Sequence, residues 1–159
     1  MKITNKIIFG VGSNLGDRQK NLNIATEKLT NYLLLKNLKK SKVYKNPAML
    51  PNNAPQSWNI EFFNIAISAN IDLNKFSIEE ILNIVKKIEA EIGRKSSERW
   101  SPREIDIDIL MIDQLIYNKD NFINIPHVGL FERDFFYLTT QEIEPQMLES
   151  IKKLIRGSN

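Results

Sequence analysis

Two carboxylates with strand spacing stand out in residues 99–111, which read R-W-S-P-R-E-I-D-I-D-I-L-M. Asp106 and Asp108 alternate with isoleucines, and alternation is the period of a β-strand, so both aspartates face the same side. Their Cα atoms are then roughly 7 Å apart. Aspartate is disfavoured in strands, so a pair on one strand face needs a reason. Because Mg²⁺ prefers oxygen ligands, the pair predicts a site for a divalent cation.

Fixed positive charge lies directly upstream of the acid pair. Arg99 and Arg103 precede the strand, and a guanidinium group matches the geometry of phosphate oxygens. Acid pair and arginines together predict a metal–phosphate site. The alternative without a function is a half-buried edge strand whose aspartates face water beside surface arginines.

The strands and helices that would position this site follow from hydrophobic periodicity. Besides the strand at 105–111, whose isoleucine face would include Met111, we predict strands at 7–11, 41–45, 62–71 and 115–117. We predict helices at 17–34, 77–92, 135–142 and 145–155. Ser77 and Glu80 form a capping box at the start of the second helix. The lysine-rich residues 36–42 predict a solvated turn.

Two segments flanking these elements predict loops. Residues 46–59 contain three prolines and four asparagines, which excludes regular structure. A loop of this length is often a lid or a binding loop, and the alternative is a disordered surface excursion. Residues 94–99 are polar and basic, so we expect a mobile loop that could close over phosphates.

Several single residues outside the strand are candidates for binding. Phe62 and Asn64 share the less apolar face of their strand, where a ring and an amide could hold a flat heterocycle. His127 is the single histidine, and beside an acidic, arginine-rich site it could bind phosphate. Each of these has a structural alternative as an ordinary surface or loop residue. Lys86 and Glu89 lie three apart on a helix, and their alternative is a solvated ion pair.

The glycines that follow the first strand do not form a nucleotide-binding motif. Gly10, Gly12 and Gly16 have the spacing G-x-G-x-x-x-G, one residue longer than the Rossmann pattern, and the sequence contains no P-loop. They predict a tight strand-to-helix turn, with Asp17 or Asn14 capping the helix. The alternative is a turn that also brings backbone close to a ligand.

Composition excludes several classes of protein. The 159 residues are 42% apolar and 26% charged, which predicts one compact domain, residues 1–159. There is no cysteine and one histidine, so thiolate sites, disulfides and multi-histidine zinc sites are excluded. We find neither a signal peptide nor an apolar run near 20 residues, and therefore expect a cytoplasmic protein without a membrane role.

Five pieces of sequence, in order along almost the whole chain, carry a resemblance to a known family. They are G-S-N-L-G-D at 12–17, F-F-N-I-A-I at 62–67, I-E-A-E-I-G-R at 88–94, R-W-S-P-R-E-I-D-I-D-I-L at 99–110, and I-P-H with R-D-F within 125–135. The chain resembles the 6-hydroxymethyl-7,8-dihydropterin pyrophosphokinase family of folate biosynthesis. The fourth piece is highly specific, whereas each of the others alone is weak.

The resemblance implies a fold and a reaction. The fold is a ferredoxin-like α/β (α+β) fold, an antiparallel sheet with helices packed on it in α-β-α layers. The reaction transfers pyrophosphate from ATP to 6-hydroxymethyl-7,8-dihydropterin and yields AMP and the pterin diphosphate. Two Mg²⁺ ions would accompany ATP, and no further cofactor is implied.

The resemblance also implies a role for particular residues of this chain. Asp106 and Asp108 would hold the metal ions. The catalytic set would be Arg94, Arg99, Arg103, Asp106 and Asp108. ATP would be bordered or contacted by Lys86, Glu89, Trp100, Ile109, His127 and Arg133. The pterin would be bound by Asn46, Pro47, Met49, Phe62, Asn64 and Phe135, with the two phenylalanines stacking on its faces.

Two other functions remain open at the level of sequence. A basic α/β module could bind RNA on its sheet, although two aspartates without metal would repel phosphate. A two-metal phosphodiesterase could use the same aspartates. We expect a monomer whose partners are the small molecules ATP and the pterin, without nucleic acid.

Overall fold

An antiparallel sheet forms the centre of the molecule in this computed structural model, which describes residues 4–94, 101–120 and 123–157. The strands are β1 (Asn5–Ser13), β2 (Lys36–Lys40), β3 (Tyr44–Asn46), β4 (Phe62–Ile71), β5 (Asp106–Ile112), β6 (Tyr117–Lys119) and β7 (Ile123–Ile125). The helices are α1 (Arg18–Tyr32), α2 (Ile78–Ile92), α3 (Asp134–Ile143) and α4 (Pro145–Gly157), with one 3₁₀ turn at Gln56–Trp58.

The order of the strands identifies the topology. The main sheet has the order β2-β4-β1-β5, with β3 pairing the same strand, β4, as β2 does. All of these pairs are antiparallel. Strand and helix alternate as β-α-β-β-α-β when β2 and β3 are taken as one interrupted edge, and this is the ferredoxin-like arrangement. The predicted fold is confirmed.

Helices cover both faces of the sheet, which produces the predicted α-β-α layers. The larger apolar cluster lies between the sheet and helices α1 and α2, and it includes Phe9, Leu29 and Ile88. The smaller cluster lies on the opposite face against α3 and α4, and it includes Phe136 and Ile151. Within the described residues no helix has the length and apolar character that a membrane span requires.

The helix boundaries follow from capping residues in the sequence. Asp17 caps α1, since its side chain accepts a hydrogen bond from Lys20 N–H. The predicted capping box of α2 is present between Ser77 and Glu80, and Gly93 ends the helix in the left-handed conformation. Of the two candidates for the cap of α1, Asn14 therefore has a different role, described below.

The lysine-rich segment 36–42 was predicted as a turn, and this prediction is wrong for Lys36–Lys40. These residues form β2, an edge strand that pairs with β4 through Lys36 opposite Asn70 and Lys40 opposite Ile67. All five residues are exposed, so no apolar periodicity marks the strand in the sequence. Lysines on an edge strand are a common protection against pairing with another chain.

A bulge in β5 corrects the predicted face of Met111. Ile109 pairs with Phe9, but Met111 pairs with Ile8, so Leu110 is an extra residue on this strand. Met111 therefore packs with Leu110 in the smaller cluster rather than with the isoleucines. Strict alternation ends at the bulge, which is why the sequence pattern misassigned this side chain.

The other boundaries agree with the prediction to different degrees. Strand β4 has the predicted bounds, and α3 and α4 begin and end within two residues of theirs. The predicted strand at 41–45 is shorter and later, at Tyr44–Asn46, and that at 115–117 begins only at Tyr117. In the predicted loop at 46–59, Asn46 is the last residue of β3 and Gln56–Trp58 form the 3₁₀ turn, and the remaining residues have no regular structure.

A buried acid joins the far end of α3 to the sheet. Glu144 is 8% exposed, and its Oε1 accepts hydrogen bonds from Ser68 on β4 and Lys6 on β1. Lys39 of β2 lies 3.1 Å from the same oxygen. Burial opposes ionisation, but hydrogen bonds from Lys39, Ser68 and Lys6 lower the pKa of Glu144 below its usual value.

Candidate active site

A cleft of about 180 Å³ opens between the sheet and the start of α3. Its lining comes from four strands, two loops and one helix: Gly10, Gly12, Asn46, Ala48, Met49, Phe62, Asn64, Ser101, Arg103, Asp106, Asp108, Arg133, Phe135 and Phe136. One end is acidic and basic, and the other is aromatic and amide-rich. A site of this composition fits a ligand with a charged end and a flat ring.

Strand register brings the polar residues into rows across the sheet. Gly12 of β1 pairs with Asn64 of β4 on one side and with Asp106 of β5 on the other. Gly10 pairs with Asp108 in the same way. Residues paired across neighbouring strands point to the same face, so the amide and both carboxylates share one surface.

Gly10 and Gly12 form the floor of the cleft rather than the predicted turn. A Cβ atom at Gly12 would lie 2.5 Å from Asn64 Oδ1, and one at Gly10 would lie 2.9 Å from the Phe136 ring. Both residues belong to β1, whereas Gly16 occupies the turn with φ of 75°. The missing side chains of these two glycines therefore leave room for the Asn64 amide and the Phe136 ring to pack directly on β1.

Arginines surround the first carboxylate. Arg94 Nη1 donates to Asp106 Oδ1 at 3.0 Å, and Arg103 Nη1 lies 3.8 Å from Asp106 Oδ2. Desolvation in the cleft and the charge of Asp108 raise the pKa of Asp106, while Arg94 and Arg103 oppose the rise. The two carboxylates therefore repel each other, and a bound cation would relieve that repulsion.

Glu89 holds Arg94 in place from the opposite side. Its Oε2 accepts a hydrogen bond from Arg94 Nη1 at 2.7 Å and another from Ile107 N–H at 2.9 Å. Burial raises the pKa of Glu89, and the Ile107 N–H and Arg94 oppose that rise. Glu89 is 8% exposed and Lys86 is exposed, so the solvated Lys86–Glu89 pair considered from the sequence is wrong for Glu89.

His127 lies beside the second carboxylate. Its Nε2 is 3.5 Å from Asp108 Oδ1, and its Nδ1 accepts a hydrogen bond from Gly129 N–H at 2.9 Å. Since Nδ1 is an acceptor, a neutral imidazole carries its proton on Nε2, facing Asp108. The ring packs edge-on against Phe136 with centroids 5.0 Å apart.

The aromatic end of the cleft combines residues from β3, β4 and α3. Asn64 Nδ2 donates a hydrogen bond to Asn46 Oδ1, and Asn46 Nδ2 donates to Pro47 O. Phe62 pairs with Asn46 in the sheet. Phe135 packs against Phe136 with ring centroids 4.7 Å apart.

Arg133 is both the N-cap residue of α3 and a lining residue of the cleft. It occupies the N-cap position of that helix, and its guanidinium lies 5.6 Å from the centroid of the Phe136 ring. A Cβ atom at Gly129 would lie 2.8 Å from Arg133 Nε. The absence of a side chain at Gly129 therefore leaves the space that the Arg133 guanidinium group occupies.

The acid pair fits Mg²⁺ by its donor chemistry. The part of the chain that the structure describes contains no group of three or more His, Cys, Asp or Glu side chains that could hold a metal ion. Asp106 and Asp108 offer oxygen ligands, and their side chains are about a third exposed. Mg²⁺ is commonly bound by one or two carboxylates together with phosphate oxygens and water, so the pair suits a cation that arrives with a nucleotide.

Six of the predicted site residues that the structure describes are not part of the cleft lining: Pro47, Lys86, Glu89, Arg94, Ile109 and His127. Ile109 is on the other face of β5, 7% exposed in the larger apolar cluster. Lys86 is on the exposed side of α2. Arg99 and Trp100, with the loop predicted at 94–99 except Arg94, fall outside the described residues. Their roles remain predictions.

Sequence reasoning missed several lining residues. Gly10 and Gly12 were assigned to a turn, and Ala48, Ser101 and Phe136 were not singled out. Phe136 follows Phe135 in a helix, so periodicity identifies it only as a core residue. The strand pairing of the glycines with Asp108 and Asp106 could be recognised only once β1 was placed beside β5.

Comparison with known proteins gives a consistent result. Residues 8–145 match the family model described as 7,8-dihydro-6-hydroxymethylpterin-pyrophosphokinase (HPPK). A 2-amino-4-hydroxy-6-hydroxymethyldihydropteridine pyrophosphokinase of Aquifex aeolicus is 37% identical over an alignment of 150 residues, which covers 91% of this chain and 84% of that protein. The Bacillus subtilis protein of the same name is 31% identical over 146 residues, covering 91% and 81%.

Longer proteins contain a similar region. A folate synthesis bifunctional protein of Chlamydia muridarum is 35% identical over 137 residues, which are 85% of this chain but 29% of that protein. A crystal structure of a Plasmodium falciparum HPPK-DHPS triple mutant with pteroate superposes with a TM-score of 0.63 at 13% identity, covering 97% of this chain and 44% of the other. The structural likeness supports the fold.

Proposed function

Because this chain belongs to the 7,8-dihydro-6-hydroxymethylpterin-pyrophosphokinase family, we propose that it transfers pyrophosphate from ATP to 6-hydroxymethyl-7,8-dihydropterin. The products are AMP and the pterin diphosphate, an intermediate of folate synthesis. The observation that carries this proposal is the single cleft surface on which Asp106 and Asp108 lie in register with Gly12, Gly10 and Asn64. This surface offers an anion site and a ring site side by side.

The charged end of the cleft is suited to the triphosphate. Arg103 and Arg133 line it, Arg94 is held between Glu89 and Asp106, and His127 is beside Asp108. Cations fixed before the reaction stabilise the charge that develops on transferring phosphate. Arg99 and Trp100 complete this set in our proposal on the strength of the sequence motif.

The carboxylates of Asp106 and Asp108 would supply ligands for two Mg²⁺ ions. Asp106 and Asp108 face the same cleft from alternate positions of one strand. Two bound ions would offset charge on the phosphates and favour ionisation of the attacking hydroxyl. The chain's own contribution is to fix both carboxylates on a rigid sheet, so that the ligand geometry does not depend on a loop.

The other end of the cleft is suited to the pterin. Phe62 and Phe135 provide aromatic faces, and Asn64 provides an amide that can bind the polar edge of the ring. Asn46 at the end of β3, with Pro47 and Met49 in the loop after it, would border the ring. The hydroxymethyl oxygen then attacks the β-phosphorus of ATP, the bond to the α,β-bridging oxygen breaks, and AMP leaves while the hydroxyl proton is released.

Two further contacts proposed for ATP, from a lysine on α2 and an isoleucine on β5, would lie at the border of the site. Lys86 on α2 and Ile109 on β5 would contact the nucleotide at its margin. A bound nucleotide would reach Ile109 only along the edge of β5, since that side chain is 7% exposed. We propose a monomeric, single-domain enzyme over residues 1–159, cytoplasmic because its co-substrate ATP is abundant there.

The decisive experiment measures AMP formation from ATP with Mg²⁺, in the presence and absence of the pterin. AMP that forms only with Mg²⁺ and pterin together, in a 1:1 ratio to pterin diphosphate, is the expected result. AMP or phosphate release without pterin would instead favour the two-metal phosphodiesterase. RNA binding without AMP formation would favour the RNA-binding module.

A further inference from the structure

A buried asparagine, Asn14, connects two loops that flank the cleft. One is the loop before β5, which contains Arg103, and the other is the loop before β4, which contains Ile60. Asn14 follows β1 and is 1% exposed. Its Oδ1 accepts a hydrogen bond from Arg103 N–H at 2.9 Å, and its own N–H donates to Arg103 O at 3.2 Å. Its Nδ2 donates to Ile60 O at 3.1 Å.

These contacts continue the sheet beyond its last regular pair. The β1–β5 pairing ends at Gly12 opposite Asp106, and Arg103 lies in the loop before β5. Both backbone polar groups of Arg103 are bound by Asn14, one by its backbone and one by its side chain. The position of the Arg103 backbone is therefore set by β1 as well as by its own strand.

The same amide reaches the other side of the cleft. Ile60 is two residues before Phe62, at the end of the loop that began after β3. With Nδ2 on Ile60 and Oδ1 on Arg103, a single side chain joins the segment leading to the ring site and the segment leading to the carboxylates. A buried amide whose two ends are both satisfied holds its partners rigidly, because leaving either end unpaired is costly.

We infer that Asn14 is a positioning residue for the proposed reaction: it fixes Arg103 for the phosphates and Phe62 for the pterin through one bridging amide. This inference rests on the proposed function. Asn14 is not itself a cleft-lining residue, so its effect on catalysis would pass through the two backbone segments that it holds.

A second asparagine, Asn21, provides a control that distinguishes a positioning role of Asn14 from a general structural role. Asn21 on α1 also donates its amide to the β1–α1 turn, through Leu15 O at 3.0 Å and Ser13 Oγ at 3.3 Å. These partners belong to neither loop. Asn21→Ala therefore removes a comparable amide from the same turn without releasing Arg103 or Ile60.

The first test compares Asn14→Ala with Asn21→Ala. We expect Asn14→Ala to lower kcat at least tenfold and to weaken pterin binding about tenfold, measured by fluorescence titration. Asn21→Ala should change both less than threefold, although thermal unfolding reports a similar loss of stability for the two variants. Equal kinetic losses in the two variants would overturn the inference.

A double-mutant cycle tests the route through Arg103. In an Arg103→Ala background, single-turnover rates should differ less than twofold between Asn14 and Asn14→Ala, because the side chain that Asn14 positions is gone. If Asn14→Ala lowered the single-turnover rate in that background by the same factor as in the unsubstituted chain, positioning through Arg103 would be contradicted.

Asn14→Asp tests the contact with Arg103 (the Arg103 arm) and the contact with Ile60 (the Ile60 arm) separately. It also replaces Asn14→Ala as the test variant if Asn14→Ala does not fold. The aspartate keeps an oxygen that accepts Arg103 N–H, but its second oxygen faces Ile60 O and cannot donate. We expect kcat within threefold of the unsubstituted chain and pterin affinity reduced about tenfold; unchanged pterin affinity would overturn the Ile60 arm. If the unsubstituted chain itself formed no pterin diphosphate, the proposed function would fail, a result distinct from an active chain with indifferent Asn14 variants.

Discussion

The two aspartates of the cleft have different neighbours, although they are two residues apart. Asp106 contacts Arg94 and Arg103, so its removal would also release two arginines. Asp108 lies beside His127 and its charge contributes to the raised pKa of Asp106. Substitution of Asp108 is therefore the cleaner test of metal binding.

We expect Asp108→Ala to leave the fold intact and to lower kcat by about 100-fold or more, because it removes a proposed metal ligand beside the transferring phosphate. Steady-state AMP formation at saturating Mg²⁺ measures the loss, and far-ultraviolet circular dichroism checks the fold. Asp72→Ala is the matched control. Asp72 directly follows β4 at the end of that strand opposite to the cleft-lining Phe62 and Asn64. Turnover like that of the control would refute the metal assignment.

Phe135 offers a test of the ring site. We expect Phe135→Ala to weaken pterin binding roughly tenfold, since stacking on an aromatic ring is worth about 1–3 kcal/mol, while the affinity for an ATP analogue changes less than threefold. Calorimetric titration of each ligand provides both numbers.

Phe131→Ala is the control for this substitution. Phe131 packs against Tyr137 and does not belong to the cleft lining. Equal losses for pterin and nucleotide in Phe135→Ala, or equal pterin losses in the two variants, would count against stacking by Phe135.

At the scale of the element, β1 contributes backbone rather than side chains to the site. Its two glycines lie between the carboxylates of β5 and the amide of β4. Because neither glycine has a Cβ atom, the Asn64 amide and the Phe136 ring pack directly on this strand. The strand is central in the sheet, so this part of the cleft has little freedom to adapt.

We expect Gly12→Ala to reduce pterin affinity at least tenfold and stability by about 1–3 kcal/mol, because the new methyl group would overpack against Asn64. Pterin titration and urea unfolding measure the two effects. Gly157→Ala is the control, since a Cβ atom there has nothing within 4 Å. Pterin affinity like that of this control would show that the cleft floor accommodates a methyl group.

The β6–β7 hairpin is joined to α2 by an acid. Tyr117 Oη donates to Glu79 Oε1 at 2.6 Å, and Lys119 Nζ lies 3.1 Å from the same oxygen. The Tyr117 hydrogen bond, with Lys119, lowers the pKa of Glu79 to about 2. His127 follows this hairpin by two residues, so the contact also supports the segment that carries the histidine.

The lowered pKa of Glu79 predicts the direction of an acid effect. A depressed carboxyl pKa stabilises the folded state above the unfolded value of 4.5, and the benefit is lost as pH falls toward about 2. We expect Glu79→Gln to reduce the difference between urea midpoints at neutral and strongly acidic pH. Glu27→Gln, an exposed glutamate of α1, is the control, and an unaltered pH difference in Glu79→Gln would refute the link.

At the scale of the whole molecule, the cleft collects residues from four strands, two loops and a helix. A ligand that binds this assembled site and not the unfolded chain must stabilise the fold. The effect provides a readout of ligand binding that does not depend on turnover.

We expect an ATP analogue with Mg²⁺, at 100 times its Kd, to add about 2.7 kcal/mol to the free energy of unfolding, which raises Tm by roughly 5–10 °C. Omission of Mg²⁺ should remove most of this shift, and Asp108→Ala should show no Mg²⁺ dependence. A shift independent of Mg²⁺ in the unsubstituted chain would argue against metal-assisted nucleotide binding.

Local signals in the sequence determined much of this molecule. Alternation in Phe62–Ile71, the capping box of Ser77 and Glu80, and the Gly93 end of α2 depend on residues close together in the chain, so they could be predicted with their boundaries. The common face of Asp106 and Asp108 is also a local property. Together with the resemblance to one family, it indicated the reaction.

Tertiary structure decided what depends on pairing between distant residues. Lys36–Lys40 became a strand because β4 offered a free edge, although no side chain of the segment is buried. Met111 changed face because a bulge interrupts the pairing of β5 with β1. Gly10 and Gly12 became the cleft floor, and Asn14 the bridge between two loops, because β1 lies between β4 and β5. Such roles are set by the order and register of strands, which local periodicity does not encode.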